Sequence, residues 1–166
     1  MQSPKTIITA IVLTLASVSQ IVLSFILFNE DGISPVRNIG WIILWISAVF
    51  GWLPIYTFKK WGGVQAGESY IKTTKLVDRG VYSIVRHPQY LAGILISISL
   101  PLIAQNWIVS ILGILLLFIY YFDTFEEERN IIEQFGEQYI AYKKSVPRIN
   151  VILGIIRLLL RKQNGT

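Results

Sequence analysis

The uncharged apolar run from Thr6 to Phe28 limits what this chain can fold into. At ~1.5 Å per helical residue it is long enough to cross a ~30 Å hydrocarbon core. It exceeds a signal-peptide core, and no small-residue cleavage site follows it, so it reads as a span. A second run, Ile39 to Phe58, carries Trp41, Trp45 and Trp52, with Pro54 expected to kink its end. Pro88 to Ala104, interrupted by Pro101, is a third, and Trp107 to Phe122 a fourth. Only Gln105 and Asn106 separate the last two, which predicts an antiparallel helix pair. The chain is 53% hydrophobic with a mean hydropathy of +0.55. That composition is consistent with several membrane spans. The predicted fold class is an all-α integral membrane helical bundle, with about four transmembrane helices plus a cytoplasmic C-terminal helix.

Cation placement orients the spans. Lys59, Lys60, Lys72, Lys75, Arg79 and Arg86 in the Lys59–His87 segment face only Glu68 and Asp78, whereas the Asn29–Asn38 link sets Glu30 and Asp31 against Arg37. Under the positive-inside rule both termini and the basic segment are cytoplasmic. The formal charge of +5 is therefore a topology signal, and a nucleic-acid partner is excluded because no soluble basic domain carries it. The absence of cysteine removes disulfides and thiolate catalysis, and a single histidine argues against a metal centre.

That histidine, His87, lies in Gly80–Gly93, polar and turn-rich at its start and apolar at its end. Gly80 permits positive φ. Pro88 lacks an N–H and suits the first position of a helix, so His87 sits at a helix entrance where free N–H groups favour an anion. Tyr82, His87 and Tyr90 are expected to line one polar corner; each alone also fits a membrane-interface belt.

Beyond Asp123 the fourth helix is expected to continue into the cytoplasm. Glu127, Ile131, Phe135, Tyr139 and Tyr142 fall on one helical stripe, Gly136 lies within the helix as a point of close approach, and Pro147 ends it. Glu126 and Glu128 fall at the flanks, as a solvated acidic face. Glu127 opens an otherwise apolar stripe, where a carboxylate needs a partner. Val151–Leu160, too short to span and accompanied by Arg157, Arg161 and Lys162, reads as an interfacial amphipathic segment.

Two blocks, Gly-Val-Tyr-Ser-x-x-Arg-His-Pro-x-Tyr at Gly80–Tyr90 and Glu-Glu-x-x-Ile-x-x-x-Phe-Gly-x-x-Tyr-x-x-Tyr-x-x-x-Val-Pro at Glu127–Pro147, resemble the signature of isoprenylcysteine carboxyl methyltransferases and their phospholipid methyltransferase relatives. The resemblance covers roughly Lys72 to Arg148. It implies an S-adenosylmethionine-dependent methyltransferase acting on a lipophilic small-molecule or prenylated acceptor among membrane lipids, without a metal. Together with the apolar runs and the amphipathic tail, it divides the chain into three segments: a helix pair over 1–58, a cofactor-binding core over 59–148 and an interfacial tail over 149–166.

By the same resemblance Thr74, Lys75, Leu76 and Val77 wrap the cofactor. Tyr82, His87, Pro88, Gln89 and Tyr90 complete its pocket, and Glu127 holds its ammonium. The physics of these residues agrees: a carboxylate suits an ammonium, a helix entrance a carboxylate, and tyrosine faces a sulfonium. Asp123 stands where the carboxyl methyltransferases carry a substrate-binding arginine, one turn before the glutamate. Asp123 and Arg86 are thus the substrate-side candidates. Carboxyl O-methylation is the first expectation and phospholipid-type amine N-methylation the alternative. The rivals are an NADPH-dependent sterol reductase-like enzyme, disfavoured by Gln89 and Ile94, and a non-enzymatic membrane scaffold or transporter.

Overall fold

The computed structural model describes residues 4–63 and 74–163. The expectations resting on Glu68 and Lys72 lie outside them. The described residues form α1 (Pro4–Ile26), α2 (Ser34–Trp61), a 3-10 turn (Gly80–Ser83), α3 (Pro88–Ala104), α4 (Trp107–Phe135), α5 (Glu137–Ser145) and α6 (Val151–Gln163). No strand occurs among them. The fold class is all-α, as the apolar periodicity predicts. Three helices are long and apolar enough to cross a membrane, within α1, α2 and α4. At 17 residues, α3 is apolar but shorter than those three. Pro54 lies inside α2, which continues through it to Trp61.

The chain divides into two compact units, Met1–Ala48 with Tyr90–Glu126, and Val49–Gln89 with Glu127–Thr166. In the first, small residues let helices approach and neutral hydrogen bonds join them. Pro101 has no N–H to give the Ser97 carbonyl one turn earlier. Gln20, fully buried on α1, donates its Nε2–H to that carbonyl at 3.2 Å. Gly113 of α4 faces the same point: a Cβ there would stand 2.3 Å from the Ser97 oxygen. Ser47 donates to the Ala92 carbonyl at 2.9 Å, and Ser17 pairs with the Tyr120 hydroxyl at 2.8 Å. These are the polar contacts that hold helices together where lipid offers no hydrophobic incentive. Leu100, Ala104 and Val109 form a buried cluster, joined by Leu23, Leu27 and Ile96. At its edge Gln105 and Ile33 exchange two 2.8 Å hydrogen bonds, so the Asn29–Asn38 link is structured.

In the second unit the acidic helix is shorter than the stripe implies. The expected continuous helix to Pro147 breaks at Gly136, which has φ +54°. A Cβ there would meet nothing within 4 Å. This glycine therefore serves the turn between α4 and α5, not a close approach. The apolar residues still converge: Tyr139, Tyr142 and Val146 are buried together, packed by Leu76, Ile131, Ile132 and Phe135.

Candidate functional site

The 3-10 turn begins at Gly80 with φ +60°, as its sequence predicts, and a Cβ there would stand 3.0 Å from the Thr57 hydroxyl of α2. The turn carries Tyr82 inward, where its ring meets Phe58 at 4.8 Å between centroids. Tyr142 of α5 donates its hydroxyl to the Tyr82 carbonyl at 2.6 Å. Burial pushes the Tyr142 phenol far above its ordinary range, so it keeps the proton this bond requires. Next, the Arg86 and His87 N–H groups donate to the carbonyls of Pro147 and Arg148, at 3.0 and 3.1 Å. Pro88 then opens α3, as expected. Apart from Tyr90, both sequence blocks thus lie in the second unit, bonded backbone to backbone.

Glu128 fastens them. Its side chain is 3% exposed, and its Oε1 accepts from Arg86 Nη2 at 2.6 Å, Arg86 Nε at 3.2 Å, Arg148 Nε at 3.1 Å and His87 Nε2 at 3.2 Å. Its Oε2 accepts from Lys143 at 2.7 Å and Arg148 Nη2 at 2.9 Å. Arg86 also turns Nη1 to the carbonyls of Lys143 and Val146, at 2.7 and 2.6 Å. There it satisfies carbonyls at the α5 C-terminus and complements the negative end of that helix. Burial lowers the pKa of His87 despite the opposing pull of Glu128. The neutral imidazole then donates from Nε2, which leaves Nδ1 as the acceptor. The Tyr139 hydroxyl is buried without a hydrogen-bond partner among the described residues.

The expectation that Glu128 belongs to a solvated face is corrected: it is the buried carboxylate of the acidic run, and Glu127 beside it is half-buried. The signal in the sequence was Arg86 at the mouth of an apolar helix, a cation that needs a counter-charge. Of the remaining site candidates in this unit, Thr74, Lys75 and Gln89 are exposed, Leu76 half-buried, and Val77 and Pro88 buried. Thr74 is anchored by its N–H to the Gly62 carbonyl at 3.1 Å. Leu76 lines a cavity of about 410 Å³ with Asp78, Gln138, Tyr142, Ser145 and Arg161. Tyr90 and Asp123 belong to the first unit, where the Tyr90 hydroxyl donates to Asp123 Oδ2 at 3.1 Å.

A family model described as "Phospholipid methyltransferase" matches residues 36–138, more than half of the chain. Among curated proteins the chain is similar to the protein-S-isoprenylcysteine O-methyltransferase of Mus musculus, 40% identical over 76 residues, covering 45% of this chain and 27% of that protein. It is 37% identical over 90 residues to the Saccharomyces cerevisiae protein of that name, covering 49% and 38%. It is 32% identical over 74 residues to protein-S-isoprenylcysteine O-methyltransferase B of Arabidopsis thaliana, covering 44% and 38%. The matches thus span well under half the length of these relatives. No solved structure matches the chain significantly.

Proposed function

Because the chain belongs to the phospholipid methyltransferase family, we propose that it is an integral-membrane methyltransferase using S-adenosylmethionine, and that its acceptor is a lipid-borne carboxylate of the prenylcysteine type. The observation that carries this reading is the junction of the two signature blocks through Glu128, His87 and Arg86. The printed names of the curated relatives support the acceptor class. The proposal keeps residues 59–148 as the methyltransferase core, flanked by the helix pair and the tail.

The chemistry of the residues fits the cofactor. The cavity beside Leu76 offers a carboxylate, a guanidinium, an amide, a hydroxyl and a tyrosine. That donor set suits a zwitterionic amino acid on an aromatic base. When bound, the cofactor supplies an activated methyl group on a sulfonium. Glu127 holds the ammonium by a charge-assisted hydrogen bond. Thr74–Val77 face the nucleoside, and Tyr82, His87, Pro88 and Gln89 complete the pocket. His87 keeps the turn in place as a neutral donor to Glu128 and adds no positive charge beside the sulfonium. Arg86 is a positioning residue, because its donors hold Glu128 and the end of α5. The protein's main contribution is alignment, which can lower a barrier by ~7–11 kcal/mol. A carboxylate acceptor, with an ordinary pKa of ~4, needs no general base.

Asp123 favours a second reading. A carboxylate brought near it meets repulsion, whereas an amine finds both an attraction and a proton acceptor. Methyl transfer by the protein in lipid nanodiscs to a prenylcysteine analogue and to a phosphatidylethanolamine separates the two. Transfer to the analogue upholds O-methylation, transfer to the amine alone upholds N-methylation, and transfer to neither refutes the assignment to these acceptors. Asp123→Arg is expected to raise activity on the analogue without weakening cofactor binding. The proposed topology has both termini and the site cytoplasmic. A cysteine at Asp31 then labels from outside and one at Gly63 does not, while the reverse pattern overturns it.

A further inference from the structure

The last helix is turned the opposite way from a helix of a soluble domain. Asn150 caps it, its side-chain oxygen accepting from the Leu153 N–H at 3.0 Å. One side rests on the 3-10 turn. Gly154 is buried there, and a Cβ on it would stand 2.0 Å from the Ile84 carbonyl oxygen. Two turns on, Arg161 donates Nη2 to the Ser83 carbonyl at 2.9 Å. Arg157 and Leu158 are half-buried on the same side. These contacts fix the rotation of the helix about its axis.

The opposite side is therefore a built surface, and it is apolar. At ~100° per residue Ile152, Ile156 and Leu159 lie at its centre, opposite Gly154 and Arg161. They are 74%, 49% and 55% exposed, with Ile155 and Leu160 beside them also exposed. A water-facing helix places charge there. Here two arginines of the helix are directed toward the protein and the aliphatic residues away from it. The helix has 13 residues. At ~1.5 Å per residue it reaches ~20 Å, short of a ~30 Å hydrocarbon core.

We propose that α6 is an interfacial helix whose Ile152–Ile156–Leu159 face lies in the acyl boundary of the cytoplasmic leaflet. Lipid is the occupant for two reasons. Among the described residues three helices are long and apolar enough to cross a bilayer, so a lipid surface is at hand wherever the protein resides. Lys162, exposed at the edge of the stripe, complements anionic headgroups, whereas a second copy of the same face would bring like charges together. This lipid contact does not depend on the methyl-transfer reading.

The chain has no cysteine, so single cysteines report cleanly. The full chain carrying Ile156→Cys, Leu159→Cys or, as a reference in α5, Lys144→Cys is labelled with a polarity-sensitive fluorophore. Each is reconstituted in phosphatidylcholine–phosphatidylglycerol vesicles. At Ile156 and Leu159 the expected emission is blue-shifted, quenched by brominated acyl chains and several-fold less accessible to aqueous iodide than at Lys144. Iodide access equal to that of Lys144 overturns the proposal. So does protection from iodide without quenching by brominated lipid, with or without self-quenching between labelled copies, because protein then covers the face.

Discussion

The two units bury polar groups by opposite means. The unit of Gln20, Ser47 and Gly113 uses neutral groups: Gln20 and Ser47 donate to carbonyls on another helix, and Gly113 lets backbone approach closely. The unit of Glu128 uses full charges, with Arg86, Lys143 and Arg148 around one carboxylate. Neutral bonds between membrane helices are individually weak, about 0.6 kcal/mol on average, and fail gradually. An ionic hub fails at once, because removing one partner strands several charges. The contrast suits the proposed roles: a tolerant scaffold in lipid, and a site whose two halves form together or not at all.

Breaking the hub is expected to have the largest effect. Glu128→Gln keeps the shape but leaves three cations without their counter-charge, a cost of about 3–5 kcal/mol. The thermal midpoint of the detergent-solubilised protein should fall sharply, and limited proteolysis should open the 3-10 turn and α5. Little change would mean that the cations find other partners and that the hub is not the fastening. In the neutral unit, Gly113→Ala drives a Cβ against the Ser97 carbonyl, where backbone must move. Overpacking of that kind costs about 1–3 kcal/mol. Gln20→Leu removes the donor that replaces the one Pro101 lacks. That loss should cost about 1 kcal/mol in the same melting assay. If Gln20→Leu matched Glu128→Gln, the contrast between the units would collapse.

Titration sharpens the comparison, because only the charged unit holds a buried histidine. Around His87 stand Glu128, which favours its protonation, and Arg86 and Arg148, which oppose it together with burial. Its folded pKa lies below the ordinary 6.5, so its contribution to stability is complete above about pH 6.5 and is lost as pH falls toward the folded value. Melting of the wild type should therefore drop below about pH 6.5, and His87→Gln should flatten that drop.

Much of this architecture was legible from residue patterns. Charge-free length gave the apolar helices, and Gly80 and Pro88 fixed the turn and the start of α3 because each has few backbone options. The helix break at Gly136 was hidden, since the apolar spacing runs through it and helical periodicity does not register a single left-handed residue. The role of Glu128 was hidden for a different reason. Three adjacent glutamates differ by only ~100° of helix rotation each, and the choice among them is made by Arg86 and Arg148, distant in sequence. The outward apolar face of α6 was legible as amphipathic composition, but only the Gly154 and Arg161 contacts give its direction.

The central claim is that this chain binds a sulfonium-type methyl donor through the carboxylate of Glu127 beside the hub. Calorimetric titration with S-adenosylhomocysteine, on wild type, Glu127→Gln and Glu126→Gln of equal thermal midpoint, tests it most directly. The account predicts binding to the wild type and a loss of roughly ten- to a hundredfold in Glu127→Gln, from a charged hydrogen bond of ~1.5–3 kcal/mol. It predicts little change in Glu126→Gln. No binding to the wild type, or equal losses in the two variants, would contradict it.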